Sequence, residues 1–254
     1  MKDQRNGHQS LKWIYESEAD AVGAVLELSK EKVHHLFRVL RFPESSDVIV
    51  SNGKGTAFTA SLTQTSKSSA RLLLKEIHKD ESQRPPKFLR VFVALPKNNI
   101  MDFIMEKAVE LGVQHISPFM SERSVVRIKS SEADKYLEKW KEQAVHALEQ
   151  SEGLWFPKID APKEFTEILK EFSAPTFLFS SEKREETTMK DSLKALEKAA
   201  QGGIGLIFGP EGGFSKEETR IILENHGKPL TLGTSILRVE TAFIAGVHMA
   251  KLAM

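Results

Sequence analysis

The hydrophobic positions of this chain change their period once. From about Leu11 to Ile77 they fall in short alternating runs, the mark of half-buried strands. The stretch DVIVSNGKGTAFTASL sets two such runs around Asn52-Gly53-Lys54-Gly55, a strong hairpin signal. Ahead of it, KEKVHHLFRVLRF has helical spacing: Val33, Leu36, Phe37 and Leu40 share one face, and His34, Arg38 and Arg41 lie on the other. HKDESQRPPK then loses all periodicity and closes on Pro85-Pro86. That composition is a linker's, and it predicts two domains, 1–84 and 85–254.

Beyond the linker, strands alternate with helices. FLRVFVALP, HISPF, TFLFS, GLIF and PLTLG read as strands. NIMDFIMEKAVELG reads as an amphipathic helix stopped by Gly112, and EADKYLEKWKEQAVHALEQ as a longer one. Further helices are expected near Ser192–Ala200, from Lys216 to Asn225, and over the apolar C-terminal stretch. Repeated βα units predict an α/β domain with a largely parallel sheet covered on both faces.

Composition narrows the chemistry by exclusion. There is no cysteine, so disulfides, thiolate catalysis and cysteine-based zinc sites are out. The eight histidines form no HExxH pattern, so no metal site is expected. A net charge of +1 supplies no global field toward nucleic acid, which leaves local patches to do any such binding. The opening MKDQRNGHQS lacks an apolar leader core, and VETAFIAGVHMAKLAM is too short to span a bilayer and is interrupted by His248 and Lys251. A cytoplasmic protein without a membrane partner is the expectation.

Two turns hold the candidate chemistry. In GIGLIFGPEGGFSKEE a short apolar strand runs through Leu206-Ile207-Phe208 into Gly209-Pro210-Glu211-Gly212-Gly213, and Ser215 with Glu218 fits a capping box. Such a turn lies at the carboxyl end of a strand, where ligands of α/β sheets bind. No Lys-Ser or Lys-Thr closes it as in a P-loop, and the GxGxxG spacing fails at Phe208. Glu211 would repel a phosphate and suits a neutral or cationic ligand; a turn with no ligand at all is the plainer alternative. The second turn, LTLGTSILRVETAFIAG, ends a strand at Gly233 and opens a helix near Glu240-Thr241. Arg238 and Glu240 are the only charges between Thr231 and His248; a solvated arginine beside a first-turn glutamate accounts for them equally well.

Together GPEGGFSKEE and LGTSILRVETA resemble the RsmE family of ribosomal RNA uridine-N3 methyltransferases, of the SPOUT superfamily. HHLFRVLR, EKAVELGVQHISPFMSERSVVR and HALEQSEGLWFP extend the likeness over nearly the whole chain. The resemblance implies a PUA-like N-terminal β-barrel and a SPOUT-type α/β domain with a trefoil knot, acting as a homodimer on small-subunit ribosomal RNA, free or assembled. It implies S-adenosylmethionine held by Phe179, Ser180, Gly209, Pro210, Glu211, Gly212, Gly213, Leu232, Gly233, Ile236 and Leu237. Arg238 is then expected to favour the uridinate anion, with Glu240 orienting it or taking the proton and Thr241 hydrogen-bonding base or donor. Arg38, Arg41, Arg123, Arg127 and Lys129 are the candidate phosphate contacts. Two arginines usual in the family are missing, at the positions of Gly153 and Ser235. A different target atom such as a ribose 2′-hydroxyl, or an RNA-binding assembly protein without turnover, are the rival readings. A nicotinamide-dependent oxidoreductase lacks its fingerprint.

Overall fold

The computed structural model of the chain describes residues 11–39, 42–43, 45–171, 175–179, 188–225 and 227–254. The chain divides into two compact units, one comprising the residues up to Pro85 together with Leu148–Trp155, the other Pro86–Ala147 and Phe156–Met254.

In the first unit, β1 (Lys12–Tyr15), β2 (Val25–Glu27), β3 (Ser45–Ser51), β4 (Thr56–Ser66) and β5 (Ser69–Asp80) form one sheet in the order β1-β3-β4-β5-β2. β1 runs parallel to β3 and the other pairs are antiparallel. Ile14 from one edge strand and Leu26 from the other pack into a single core with Val48, Val50, Phe58, Leu62, Leu72 and Leu74, so the sheet curls on itself. Register shifts at Ala57/Phe58 and Thr59/Ala60 supply the bend. The hairpin turn forms at Asn52–Gly55, where Asn52 Oδ1 accepts from the amides of Lys54 and Thr56 and both glycines take positive φ.

Two local expectations change. The helix expected over 30–42 divides into α1 (Lys30–His34), capped by Ser29, and a π-helical turn at His35–Val39. Its wider turn keeps Val33 and Leu36 in the core and leaves His34 and Arg38 exposed. The strand β5 also runs to Asp80, into the expected linker, because its last residues pair with Thr56 and Ala57 although every side chain after Leu74 is exposed. Leu148–Trp155 belongs to this unit through Gly55 N–H to Leu154 O (2.8 Å), Ser51 Oγ–H to Gly153 O (2.8 Å), and Leu154 packed with Ile49 and Ala57.

The second unit is a parallel sheet of β6 (Leu89–Ala94), β7 (His115–Met120), β8 (Lys158–Ile159), β9 (Lys163–Glu164), β10 (Thr176–Phe179), β11 (Ile204–Phe208) and β12 (Lys228–Leu230). The order is β12-β10-β11-β6-β7-β8, with β9 also on β7. Every residue of β6, β7 and β11 is buried, as a sheet covered on both faces requires. One face packs against α4 (Phe165–Ile168) and α6 (Lys216–Glu224) through Phe92, Phe119, Phe165, Ile168, Ile207 and Ile222. On the other, α7 (Val239–Ala253) packs on β11, with Phe243 against Phe208, and touches α2 (Ile100–Glu110) and α5 (Met189–Ala199). α3 (Ala133–Gln150) completes the helices.

The path of the chain fixes where a crevice must open. From β6 the connection leads to β7 on one side; from β11 it passes β10 to reach β12 on the other. The carboxyl ends of β6 and β11 are therefore the switch point of the sheet.

Candidate active site

A cleft of about 680 Å³ opens there. Its walls are Phe208 to Phe214 after β11, Leu230 to Gly233 and Ser235 to Glu240 after β12, with Ile100, Arg123, Thr219 and Ala242. The two turns read from the sequence as separate signals thus face one space.

The first turn is built for close approach. A Cβ on Gly209 would lie 2.9 Å from the ring of Phe214, which stacks on Phe119 at 6.3 Å between centroids and touches Phe165. Gly213 takes φ +67, a conformation that side chains disfavour. Glu211 is exposed and its Oε1 accepts from the Lys97 amide at 2.8 Å, which ties the end of β6 to the turn after β11. Ser215 then caps α6 in a reciprocal box with Glu218.

The second turn is closed by its own threonine. Thr231 Oγ1 accepts from Gly233 N at 3.2 Å and donates to Gly233 O at 3.1 Å, and the Thr231 amide donates to buried Ser192 on α5 at 3.0 Å. Gly233 has φ +115, so a side chain there is strained whatever the space. Ile236 stands at the lip with 84% of its surface exposed. Arg238 is the N-cap of α7 and makes no side-chain cap bond; it is exposed, and Glu240 sits half-buried in the first turn. Among the described residues no hydrogen bond or ion pair engages either side chain, and no ion pair joins the two. Thr241 is exposed on α7 and is not part of the cleft wall.

The remaining expected residues divide. Gly209 to Gly213, Leu232, Gly233, Ile236, Leu237, Arg238 and Glu240 all line the one cleft. Phe179 is the last residue of β10, its backbone paired with Leu230, while Ser180 and Arg41 lie outside the described residues. Arg123, expected at RNA, lines the cleft itself and donates from Nη1 to Gly212 O at 3.0 Å. Arg127 is exposed, donates to Glu122 O at 3.1 Å and stands 3.8 Å from the Glu164 carboxylate. Lys129 is exposed beside it, and Arg38 is exposed in the first unit. Ile100, Thr219 and the Lys97 amide were not expected; Ile100 and Lys97 come from distant sequence, and Thr219 follows the capping box without a signal of its own.

The cradle fits a mid-sized ligand with a cationic centre. Glycines leave room for it, backbone groups of both turns face it, and the charged groups at its rim include the Glu211 carboxylate and Arg238. Among the described residues, no three His, Cys, Asp or Glu side chains cluster as a metal site. Among them, too, no helix is long and apolar enough to cross a membrane.

Comparison with known proteins closes the identification. Residues 83–251 match the family described as RNA methyltransferase domain, and residues 28–75 that described as RNA methyltransferase PUA domain. The chain is 30% identical over 223 residues to ribosomal RNA small subunit methyltransferase E of Synechocystis sp., covering 87% of this chain and 71% of that one. It is 29% identical over 222 residues to the protein of the same name in Bacillus subtilis, covering 85% of each. Among solved structures, a methyltransferase of Legionella pneumophila in complex with SAM superposes with a TM-score of 0.85 at 28% identity, over 96% of this chain and 98% of that one. Ribosomal RNA small subunit methyltransferase E of Neisseria gonorrhoeae bound to S-adenosyl methionine gives 0.79 at 29%, over 95% and 97%. With the PUA-type unit, the parallel sheet and the glycine turns of its cleft, the chain belongs to the ribosomal RNA small subunit methyltransferase E family.

Proposed function

We propose that the protein transfers a methyl group from S-adenosylmethionine to N3 of a uridine in small-subunit ribosomal RNA. The observation that carries this reading is the cleft at the switch point: two glycine turns enclose it, and an unengaged Arg238 stands at its lip. Gly209 to Gly213 and Leu232-Gly233, with Ile236 and Leu237, would hold the donor, and Phe179 at the end of β10 with Ser180 next in sequence would complete the set. The donor, when bound, supplies an electrophilic methyl on a cationic sulfur.

The residues of this chain do the rest. Uridine N3–H is a weak nucleophile until its proton leaves. The Arg238 guanidinium lowers the cost of the anion by placing fixed positive charge beside it. Glu240, in the first turn of α7, orients that guanidinium once RNA is present or accepts the proton. Thr241 on the next position contacts the base from outside the cleft wall. Little else is needed beyond alignment of N3 with the donor. Arg38, Arg41, Arg123, Arg127 and Lys129 hold RNA phosphates. A second copy of the chain covers the exposed residues Ile244, His248 and Leu252 of α7, which recur at helical spacing and include apolar side chains. The trefoil knot and a cytoplasmic place of work belong to the same reading.

The test is transfer of labelled methyl to small ribosomal subunits lacking the modification, with the labelled nucleoside identified by mass spectrometry. Label in 3-methyluridine supports the proposal. Label in a 2′-O-methyl nucleoside replaces the target atom, and donor binding without transfer to any RNA replaces catalysis with a binding role.

A further inference from the structure

Glu218 does more than cap α6. A capping-box carboxylate needs one oxygen on one amide, usually at the surface. Here the residue is 4% exposed and both oxygens are taken. Oε2 accepts from Ser215 N at 2.9 Å and from Ser121 Oγ at 3.1 Å; Oε1 accepts from Glu122 N at 2.8 Å. The last two donors stand almost a hundred residues away, in the loop after β7.

That loop closes on itself. Ser124 N donates to Ser121 O at 3.0 Å, and Ser124 Oγ accepts from Ser121 N at 3.1 Å, so residues 121–124 form a closed turn. Glu218 grips its first two residues. Its third, Arg123, lies along Gly212, where a Cβ would be 3.6 Å from Arg123 Cβ, and bonds Gly212 O. Besides its tie to Lys97, the glycine turn is thereby held at Gly212 and Ser215, and both of these holds lead back to one carboxylate.

We infer that Glu218 is a positioning residue: it fastens the Ser121–Ser124 turn so that exposed Arg123 stays on Gly212 O and keeps the glycine turn in its ligand-binding shape. The inference rests on the reading of this cleft as the donor site. Arg123 is exposed, and an exposed side chain keeps one partner only when its backbone is fixed. Glutamine at 218 retains the size but replaces one acceptor oxygen by a donor, so one of the two amides, Ser215 or Glu122, loses its partner in either orientation.

Calorimetric titration of the full chain with S-adenosylmethionine provides the test, on Glu218→Gln, Ser121→Ala, Arg123→Ala and the Ser121→Ala/Arg123→Ala pair. Glu218→Gln is expected to weaken donor binding about tenfold and each single alanine variant about threefold, the loss of one hydrogen bond apiece. Because both alanine changes act through the same contact, the double variant should match Arg123→Ala within about twofold rather than show the product. For Glu218→Gln and Ser121→Ala the KM for donor should rise in parallel while kcat at saturating donor and RNA stays within about twofold. Multiplicative losses in the double variant overturn the inference, as does a lowered Tm with donor affinity unchanged. If Glu218→Gln does not fold, the alanine cycle decides alone. A wild-type chain that binds no donor overturns the donor reading and this inference with it; multiplicative losses in a donor-binding chain overturn the inference only.

Discussion

The two ends of the parallel sheet treat charge in opposite ways. At the amino ends, Arg90 near the start of β6 and His115 at the start of β7 converge on Asp160 just after β8. Arg90 Nη2 stands 3.1 Å from Asp160 Oδ2, His115 Nε2 2.7 Å, and Ser117 Oγ donates to the same oxygen at 2.8 Å. Arg90 also bonds Ser117 and Glu171, and Lys163 bonds Glu171 in turn. Arg90 and His115 are buried and Asp160 is largely so. At the carboxyl ends, Arg238 and Glu240 have no partner among the described residues and face an open cleft. Burial would raise the Asp160 carboxyl, but the bonds from His115 and Ser117 and the charges of His115 and Lys163 outweigh it and hold it well below the usual carboxylate range. A strongly shifted group therefore marks the structural end of this sheet. What marks the cleft end is charge left unused beside glycine turns. Shifted titration points to a site only when the group also faces a space a substrate can enter.

That contrast can be broken at either end. The largest effect is expected from Arg238→Ala: kcat for RNA methylation at saturating donor should fall by about a hundredfold or more, as for other fixed charges at a developing anion. Since the guanidinium is exposed and unpaired, the Tm should barely move. An unchanged kcat would remove Arg238 from the chemistry.

Asp160→Asn should show the converse, a loss of about 3 kcal/mol of stability with donor affinity intact, because Arg90 and His115 keep their burial and lose their shared anion. The pH dependence has a definite sign. A carboxyl held low in the folded state contributes fully above its unfolded value, about 4, and its contribution fades as pH falls below that. Urea midpoints of wild type and variant should thus differ constantly from neutral pH to about 5 and draw together in acid. A gap that widened on acidification would refute the assignment.

A smaller effect belongs to Gly209→Ala. Its Cβ meets the Phe214 ring at 2.9 Å, and the ring is itself wedged against Phe119 and Phe165, so the turn must shift. Overpacking of this kind costs about 1–3 kcal/mol, and donor affinity should drop while RNA affinity holds. Binding isotherms for both ligands check this.

The sequence displayed some of this directly and hid the rest for physical reasons. Strands such as LRVFVA and IGLIF were legible because burial on both faces leaves continuous apolar runs. Gly112 announced the end of α2 because the left-handed position after a helix favours glycine, and it does take φ +65. α3 ends in the same kind of turn, with Gly153 N bonded to Leu148 O at 2.9 Å, yet its left-handed residue is Glu152 at φ +55, which carries no such signal. The tail of β5 looked like linker since its backbone pairing needs no apolar side chain. Both glycine turns were readable as turns at strand ends, which left a shared crevice open, and the likeness to a family made it specific. Ser121, Glu122 and Arg123 lie far from Glu218 in sequence, and only the sheet order, with β6 between β7 and β11, brings them together. Asp160 likewise sits in an unremarkable loop, and neither β8 nor β9 is long enough to leave a period.

Amide hydrogen exchange with and without S-adenosylmethionine tests the central claim most directly. Protection gained at residues 209–214 and 231–238, with exchange around Arg90, His115 and Asp160 unchanged, is the predicted result. Protection at the amino ends of the strands, or none in either turn while donor binds, would contradict the account.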